Sequence, residues 1–374
     1  MTKKHLVWVI GALLLLSLAT CTLAEVTPPV TEAPLTAVVP TRTASPIPSP
    51  TVITTEVVTK PIKSNDVENL VLTHRAAVSN IQDIVWAQDS ASLALITQNT
   101  DSDNNQVFGV TVLKSADLTT QSVYTSVGNR ITAVAPDGKT AAVIDKDLKA
   151  LSLVDTGLSG TTLGSKVTDY IIRNVSFSPD LRYVAVTKQE SWEVVLYDLT
   201  TLEEVRLLAG FETAAPVFDA RFDNSPQWIV WHARGTIQLQ EVETGKLNGV
   251  FSHEDFVSSY ALSPDGMILA SSAGKTVDNE MVPAIILWDT STSAEIQTLI
   301  MSGTVNALQF SPDGKLLAVA VGKDLQLWDA AGGTLLTTLT GHTDTILQVA
   351  FSPNQQTIAS AGLDNQLYLW QIPE

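Results

Sequence analysis

The chain has 374 residues, of which 45% are hydrophobic and 16% charged, enough apolar material for a sizeable core. Its 22 lysines and arginines stand against 39 aspartates and glutamates, which gives a formal net charge of −17 at pH 7. The basic residues form no cluster in the expected mature chain, so nucleic acids and anionic lipid surfaces are poor partners for the acidic surface. Solubility is the ordinary reason for such a charge.

The N-terminus has the layout of an export signal. Lys3 and Lys4 precede an apolar run over residues 6–16, and the letters LATC follow at residues 18–21. These four residues resemble a lipobox, in which the cysteine becomes the lipidated first residue of the mature protein. We therefore expect residues 1–21 to be a signal and Cys21 to be the lipid attachment site, in a bacterial cell envelope. Cleavage after Ala24 and an uncleaved membrane anchor are the alternatives.

Residues 22–66 predict a disordered linker. They contain 10 Thr and 8 Pro and no sustained hydrophobic period. Proline at this density favours extended conformations, so the segment should act as a semi-rigid spacer, and its hydroxyls are possible sites of O-glycosylation. Because Cys21 is the only cysteine, the domain that follows can hold neither a disulfide nor a thiol nucleophile.

A repeated unit fills residues 67–374. In residues 308–329 it consists of the turn Ser-Pro-Asp-Gly, an unbroken apolar run over 316–321 and an alternating run that ends on Trp-Asp. Seven versions of the turn follow apolar anchors spaced 40 to 48 residues apart. The anchors are Trp86, Val134, Phe177, Phe222, Leu262, Phe310 and Phe351. This period predicts an all-β fold, a seven-bladed β-propeller of four-stranded antiparallel blades.

The same residues resemble the WD40 family. Gly341-His342 opens the last repeat, and literal Trp-Asp pairs stand at residues 288–289 and 328–329. The resemblance implies that an N-terminal strand, over residues 70–72, completes the last blade. It also implies a buried hydrogen-bond network of His, Ser, Asp and Trp within a blade. The two matching sets are His342, Ser360, Asp364 and Trp370, and His253, Ser271, Asp278 and Trp288, the second with a lengthened loop.

Catalysis is not expected. After the signal and the two network histidines, only His74 and His232 remain. We expect the first to be structural at the start of the first blade and the second to pack in the core or between blades. No histidine pair has metal-ligand spacing, so we predict no catalytic residue, metal or cofactor. A lactonase-like or quinoprotein-like enzyme is an alternative, which would need histidines and carboxylates around the channel mouth. A periplasmic assembly component similar to the TolB propeller is another.

Recognition of a protein or peptide is the function that the resemblance implies. In this family, binding uses the loops that enter each blade and those between its second and third strands. Exposed aromatic residues in such loops are suitable anchors, and Phe256, Phe211 and Trp192 are the candidates, although each could equally pack between blades. We therefore expect a monomeric scaffold held at a membrane by its N-terminus, on the extracellular or periplasmic side. The partner and the binding face are left open.

Overall fold

The computed structural model describes residues 52–53, 59–157, 160–191, 193–209, 217–223 and 225–373, all within the compact unit Ala44–Glu374. The expected lipid site Cys21 and the candidate anchors Trp192 and Phe211 lie outside the described residues, as do the expected signal and most of the expected linker. Over the part of the chain that is described, no helix is both long and apolar enough to cross a membrane.

The described chain consists of short strands and one turn of 3-10 helix, Val67–Asn69. The strands are β1 (Val52–Ile53), β2 (Thr59–Lys60), β3 (Val71–Ala77), β4 (Ile81–Trp86), β5 (Ser92–Thr100), β6 (Gln106–Lys114), β7 (Thr120–Val127), β8 (Arg130–Val134), β9 (Thr140–Ile144), β10 (Ala150–Asp155), β11 (Thr161–Val167), β12 (Ile172–Phe177), β13 (Tyr183–Lys188), β14 (Glu193–Asp198) and β15 (Glu204–Ala209). They continue with β16 (Val217–Phe222), β17 (Trp228–Ala233), β18 (Thr236–Glu241), β19 (Leu247–Ser252), β20 (Ser259–Leu262), β21 (Ile268–Val277), β22 (Glu280–Asp289), β23 (Ala294–Ile300), β24 (Val305–Phe310), β25 (Leu316–Val321), β26 (Asp324–Asp329), β27 (Leu335–Leu339), β28 (Ile346–Phe351), β29 (Thr357–Gly362) and β30 (Gln366–Pro373).

These strands form seven antiparallel sheets arranged as the blades of a propeller. Blades 1 to 6 are the consecutive quartets from β4–β7 to β24–β27, and blade 7 is built from β28, β29, β30 and β3. The first strand of each blade lies innermost, where it lines a central channel. The predicted seven-bladed, four-stranded architecture is therefore confirmed.

Closure of the ring is also confirmed. Strand β3 pairs with β30, with Leu72 opposite Trp370, so an N-terminal strand completes the last blade as expected. The strand runs over Val71–Ala77 and is longer than the expected residues 70–72. The pairing supplies blade 7 with its outer strand from the far end of the sequence, which removes an open edge that either partner alone would leave. His74 lies on this strand, so it belongs to the last blade and not to the start of the first.

The folded part of the chain begins before Val67, where the sequence analysis placed its boundary. Strand β1 adds to the outer edge of β3, and β2 pairs with the end of β30. Between them and the 3-10 helix, Ile62 is fully buried and exchanges two hydrogen bonds with Gln355, of 2.8 Å through its backbone N–H and 2.6 Å through its carbonyl. Residues 60–66 therefore pack on the propeller, because the apolar side chain of Ile62 joins the core cluster that blades 6 and 7 share.

The repeated turn adopts one geometry whether or not its sequence is complete. In the full version, the Ser311 hydroxyl donates to Asp313 and accepts from the backbone N–H of Leu316, and Gly314 has a φ of +72°. Leu181 and Gln355 hold the same left-handed position in the incomplete versions, at φ values of +59° and +60°. The packing of the flanking strands thus imposes a conformation that glycine adopts more easily.

Apolar side chains between neighbouring blades form the core. Strand β25, the second strand of blade 6, is buried at every position, as its unbroken apolar run predicted. Its side chains alternate between two interblade layers, one shared with blade 7 and one with blade 5. Burial on both faces fixes each blade against two neighbours, so the loops at the ends of the strands have a rigid base.

Candidate functional site

One end of the propeller is formed by the loops that enter each blade and the hairpins that join its second and third strands; we call this end the upper rim. The two kinds of loop touch one another. The amide of Asn80, in the loop entering blade 1, donates to the side chain of Asn99 in the hairpin of the same blade over 2.9 Å. The upper rim is thus a connected surface whose geometry depends on the blades beneath it.

In blade 7, a chain of buried hydrogen bonds ties the upper rim to the sheet. His342 contacts the Asp364 carboxylate through Nδ1 and the Ser360 hydroxyl through Nε2, at 2.9 Å each. The indole N–H of Trp370 donates to the same hydroxyl over 2.9 Å. The structure therefore brings together all four residues of the first set. Burial lowers the pKa of His342, against the opposing effect of Asp364, so the ring is held mainly in its neutral form at neutral pH.

The second set is brought together only in part. In blade 5, His253 Nε2 lies 2.7 Å from the Ser271 hydroxyl, which accepts from the Trp288 indole over 2.8 Å. The other ring nitrogen faces the carbonyl oxygen of Gly235 at 3.3 Å. Asp278 is exposed at the tip of the hairpin between β21 and β22, with a φ of +52°, so its expected place in the network is wrong.

The reason is the length of that hairpin. Strands β21 and β22 have ten residues each, whereas the equivalent β25 and β26 have six. Four more residues on each strand extend the hairpin by about 13 Å and move its turn away from His253. A backbone carbonyl replaces the carboxylate, and burial lowers the pKa of His253 from 6.5 to about 4.

The extended hairpin and the loop entering blade 5 carry the most exposed apolar side chains of this part of the upper rim. Phe256 is 47% exposed and Met281 53% exposed, and Val277 stands near the turn at 39%. The loop and the hairpin are in contact, because the side chains of Met281 and Asp255 both lie against the backbone of Gly274. We call this surface, residues 253–258 and 274–282, the blade 5 platform.

The inner side of the platform is anchored between two blades. The ring of Phe256 meets the buried His232 of blade 4 edge-on, with centroids 5.7 Å apart. His232 contacts Tyr260 in the same way at 5.6 Å. His232 is thus the interblade residue that the sequence predicted, and Phe256 combines interblade contact with exposure. Of the three candidate anchors it is the one whose environment the structure describes.

Polar contacts hold the platform in place. Glu254 accepts a hydrogen bond of 2.9 Å from the backbone N–H of Thr276, and its hydrogen bonds with Thr276 lower the pKa of its carboxyl. Lys275 lies 2.7 Å from Glu295 on the neighbouring strand and 3.9 Å from Glu254. The loop and the hairpin are therefore joined by side chain and backbone together, although each exposed ion pair by itself contributes little.

A second polar site, which was not predicted from the sequence, lies in the channel. The channel encloses about 950 Å³, and in it Arg221 stacks over the Tyr260 ring at 4.4 Å and lies 3.7 Å from Asp219. Asp219 also accepts from the Tyr260 hydroxyl at 3.0 Å and from Asn174 at 2.7 Å. The available signal was the spacing: two charged residues two positions apart on an innermost strand face the same side.

Asp83 faces the same channel from blade 1. Burial raises the pKa of its carboxyl, and Arg221 acts in the opposite direction. Around the channel mouth, as elsewhere in the described residues, no three His, Cys, Asp or Glu side chains are grouped closely enough to hold a metal ion. The arrangement is a polar, partly charged cavity whose carboxylates are held by hydrogen bonds within the protein.

The chain contains WD40 repeats. The family model described as "WD domain, G-beta repeat" matches residues 294–329 and 333–371. Each match begins near the outer strand of one blade and ends with the third strand of the next, so a sequence repeat spans two blades and links them.

Curated relatives match parts of the chain. The small ribosomal subunit protein RACK1 of Drosophila melanogaster is 30% identical over 147 residues, which is 37% of this chain and 44% of that protein. The serine-threonine kinase receptor-associated protein of Gallus gallus is 28% identical over 221 residues, 57% of this chain and 59% of the relative. RACK1 of Schizosaccharomyces pombe is 27% identical over 131 residues, 33% and 40% of the two chains.

The chain thus spans about half the length of these relatives. Their organisms are eukaryotes, and the similarity gives no support to a bacterial source. Two of these relatives are named as a ribosomal subunit protein and one as a receptor-associated protein.

Proposed function

We propose that this chain, with its WD40 repeats in a seven-bladed propeller, is a non-catalytic scaffold that binds a protein or peptide partner at the upper rim. The observation that carries the proposal is the blade 5 platform, where Phe256 and Met281 are about half exposed on a surface held by buried hydrogen bonds. A rigid base limits the loss of backbone freedom on binding, and large apolar side chains on it supply contact area, as anchor residues do.

The proposal includes a cellular context. The N-terminal residues 1–21, with their basic start, apolar run and Cys21, support export and lipid attachment, in a bacterial cell envelope if the lipobox is used. The Thr- and Pro-rich residues that follow would hold the propeller away from the membrane. Relatives named for their place in assemblies support the scaffold role.

The test of the scaffold is capture of the partner in its own cells. The full-length protein is crosslinked on its source cells and purified from membranes, and bound species are identified by mass spectrometry. We expect one protein at a stoichiometric ratio to the propeller. An empty propeller, or one that holds only a small molecule or metal, would contradict the proposal and direct attention to the channel around Arg221.

A second measurement tests the tether. Cys21→Ser removes the acceptor of the lipid, so we expect the protein to leave the membrane fraction while its propeller remains folded. The mass of the wild-type N-terminal peptide is the direct readout, since it should begin at a lipid-modified Cys21. A mature chain that begins at Glu25 would show cleavage after Ala24 and would contradict lipid attachment.

A further inference from the structure

The blade 5 platform is negatively charged, and this charge favours partners that carry cationic groups. Its loop and hairpin contribute Glu254, Asp255, Asp278 and Glu280, all of them exposed. Glu295 lies beside them on the next strand, paired with Lys275. The hairpins of the two adjacent blades each carry one cation, Arg234 in blade 4 and Lys323 in blade 6. The platform itself therefore carries four carboxylates and one cation, Lys275.

Lys275, the cation of the platform, is already paired with carboxylates. Lys275 is 25% exposed and is bound between Glu295 and Glu254. Asp278 and Glu280, next to the exposed Val277 and Met281, have no such partner among the ion pairs that the structure shows. A ligand that covers the apolar side chains would bring its own charges against these carboxylates, and cationic groups would be favoured.

We infer that the blade 5 platform binds a segment of a protein partner in which an apolar anchor is flanked by lysine or arginine. The inference rests on the proposed scaffold function and names the partner's chemistry. The anchor packs on Phe256 and Met281, and the basic side chains pair with Asp278, Glu280 and Asp255. Contact with the exposed apolar side chains supplies affinity, while the carboxylates select the basic segment and speed its association.

The shape of the platform fits a peptide segment better than a flat surface. The hairpin extends about 13 Å further than the hairpin of blade 6, by the rise per residue of a strand. The loop carrying Phe256 lies at the base of this projection, in contact with it through Gly274. The side of the projecting hairpin and the loop that carries Phe256 meet at an angle and form a groove that is open on one side. A peptide segment can lie along this groove.

The experiment measures binding of two fluorescent peptides to the full chain. One alternates leucine and phenylalanine with lysine and arginine, and the other keeps the apolar residues but carries aspartate and glutamate instead. We expect the basic peptide to bind and the acidic one not to bind. Met281→Ser and Phe256→Ala should each weaken the basic peptide at least about tenfold, as loss of an anchor does. Glu280→Lys should weaken it as well, and added salt should reduce the effect of this charge change.

Matched controls separate the platform from the overall acidity of the protein. Val167, on the outer strand of blade 2, is 77% exposed, and Val167→Ser removes an apolar side chain elsewhere. Asp147→Lys, in the hairpin of blade 2, changes the net charge by the same amount as Glu280→Lys. Both controls should bind the basic peptide as the wild type does. Equal losses in the controls and the platform variants would overturn the inference.

The outcomes also separate this inference from the scaffold proposal. If crosslinking identifies a protein partner joined to other blades, and the platform variants capture it as well as the wild type does, the scaffold stands and the platform inference fails. If no protein is captured, the scaffold proposal itself fails. Binding of the platform to anionic phospholipid vesicles, with loss on Met281→Ser, would overturn the choice of a protein segment.

Discussion

Asp364 and Asp278 were both expected to contact the network histidine of their blade, yet their surroundings predict different responses to the same substitution. Asp364 accepts hydrogen bonds from His342, from the backbone N–H of Thr343 and from Gln366. Asp364→Asn replaces one of its oxygens by a donor, and we expect the free energy of unfolding to fall by about 1–3 kcal/mol. Urea unfolding of the full chain measures the change.

Asp278→Asn is the control for that substitution. Asp278 is exposed at a turn with positive φ, a conformation that asparagine adopts readily. Its stability should stay within about 0.5 kcal/mol of the wild type. Equal losses at the two positions would show that the hairpin tip of blade 5 contributes to the fold in a way the hydrogen bonds do not reveal.

His253 predicts a dependence of stability on pH. Burial lowers its pKa from 6.5 to about 4, so between these values the unfolded chain binds a proton that the folded chain does not. Stability should therefore be fully present above about pH 6.5 and decline as the pH falls towards 4, by at most about 3 kcal/mol from this group. The pKa values of His74, His232 and His342 are also lowered, mainly by burial, and act in the same direction.

The contribution of His253 is separable by substitution. His253→Gln removes the titrating ring, so the urea midpoint should change less between about pH 7 and pH 5 than in the wild type. Ser271→Ala removes the hydrogen-bond partner but keeps the ring, and it should retain the decline. An unchanged slope in His253→Gln would mean that the ring does not titrate differently on unfolding.

Individual side chains were predictable where the repeat was regular. The four residues of the blade 7 network stand at the spacing of the family pattern, and they meet in the structure. The prediction for Asp278 was wrong, because the longer hairpin moves Asp278 away from His253 and the carbonyl oxygen of Gly235 faces the ring instead. The channel pair Asp219 and Arg221 lies on one strand, but its contact with Tyr260 joins neighbouring blades, and such contacts depend on how those blades pack.

Substitution of Ile62 tests whether the folded domain starts before Val67. It is fully buried in a segment whose composition predicts a linker. Ile62→Ala should reduce the free energy of unfolding by about 2–4 kcal/mol, since a large buried side chain leaves a cavity. Ile296→Ala, at a strand position that is 54% exposed, is the matched control, and it should cost less than about 1 kcal/mol.

Melting temperatures of the two isoleucine variants decide between the two boundaries. If Ile62→Ala lowers the melting temperature no more than Ile296→Ala does, residues 60–66 belong to the linker and not to the folded domain. The segment escaped sequence analysis because one buried isoleucine, two residues of β2 and two of β1 have no period to detect. Strands within the blades were easier to predict, since the anchor and the turn mark each hairpin.

The seven-bladed ring as a whole was predictable from the period alone, because a closed ring of similar sheets requires a similar unit at each step. Closure of the last blade by an N-terminal strand was expected from the resemblance to the WD40 family, since an open ring would expose two sheet edges, and the pairing of β3 with β30 confirms it. The longer loop of blade 5 was visible in the sequence, but the contacts that it makes at the upper rim were not, because the repeat does not determine the conformation of such a loop.

The attachment of the N-terminal chain to blade 7 determines how the molecule responds to mechanical force. A load applied through the N-terminus reaches β1 first and β2 next, and each contributes only two paired residues. Strand β3, which closes the ring, is paired with β30 at six positions and comes last. Under tension the β1–β3 and β2–β30 pairings would separate before the β3–β30 pairing. The N-terminal segment would then lengthen while the propeller stays closed.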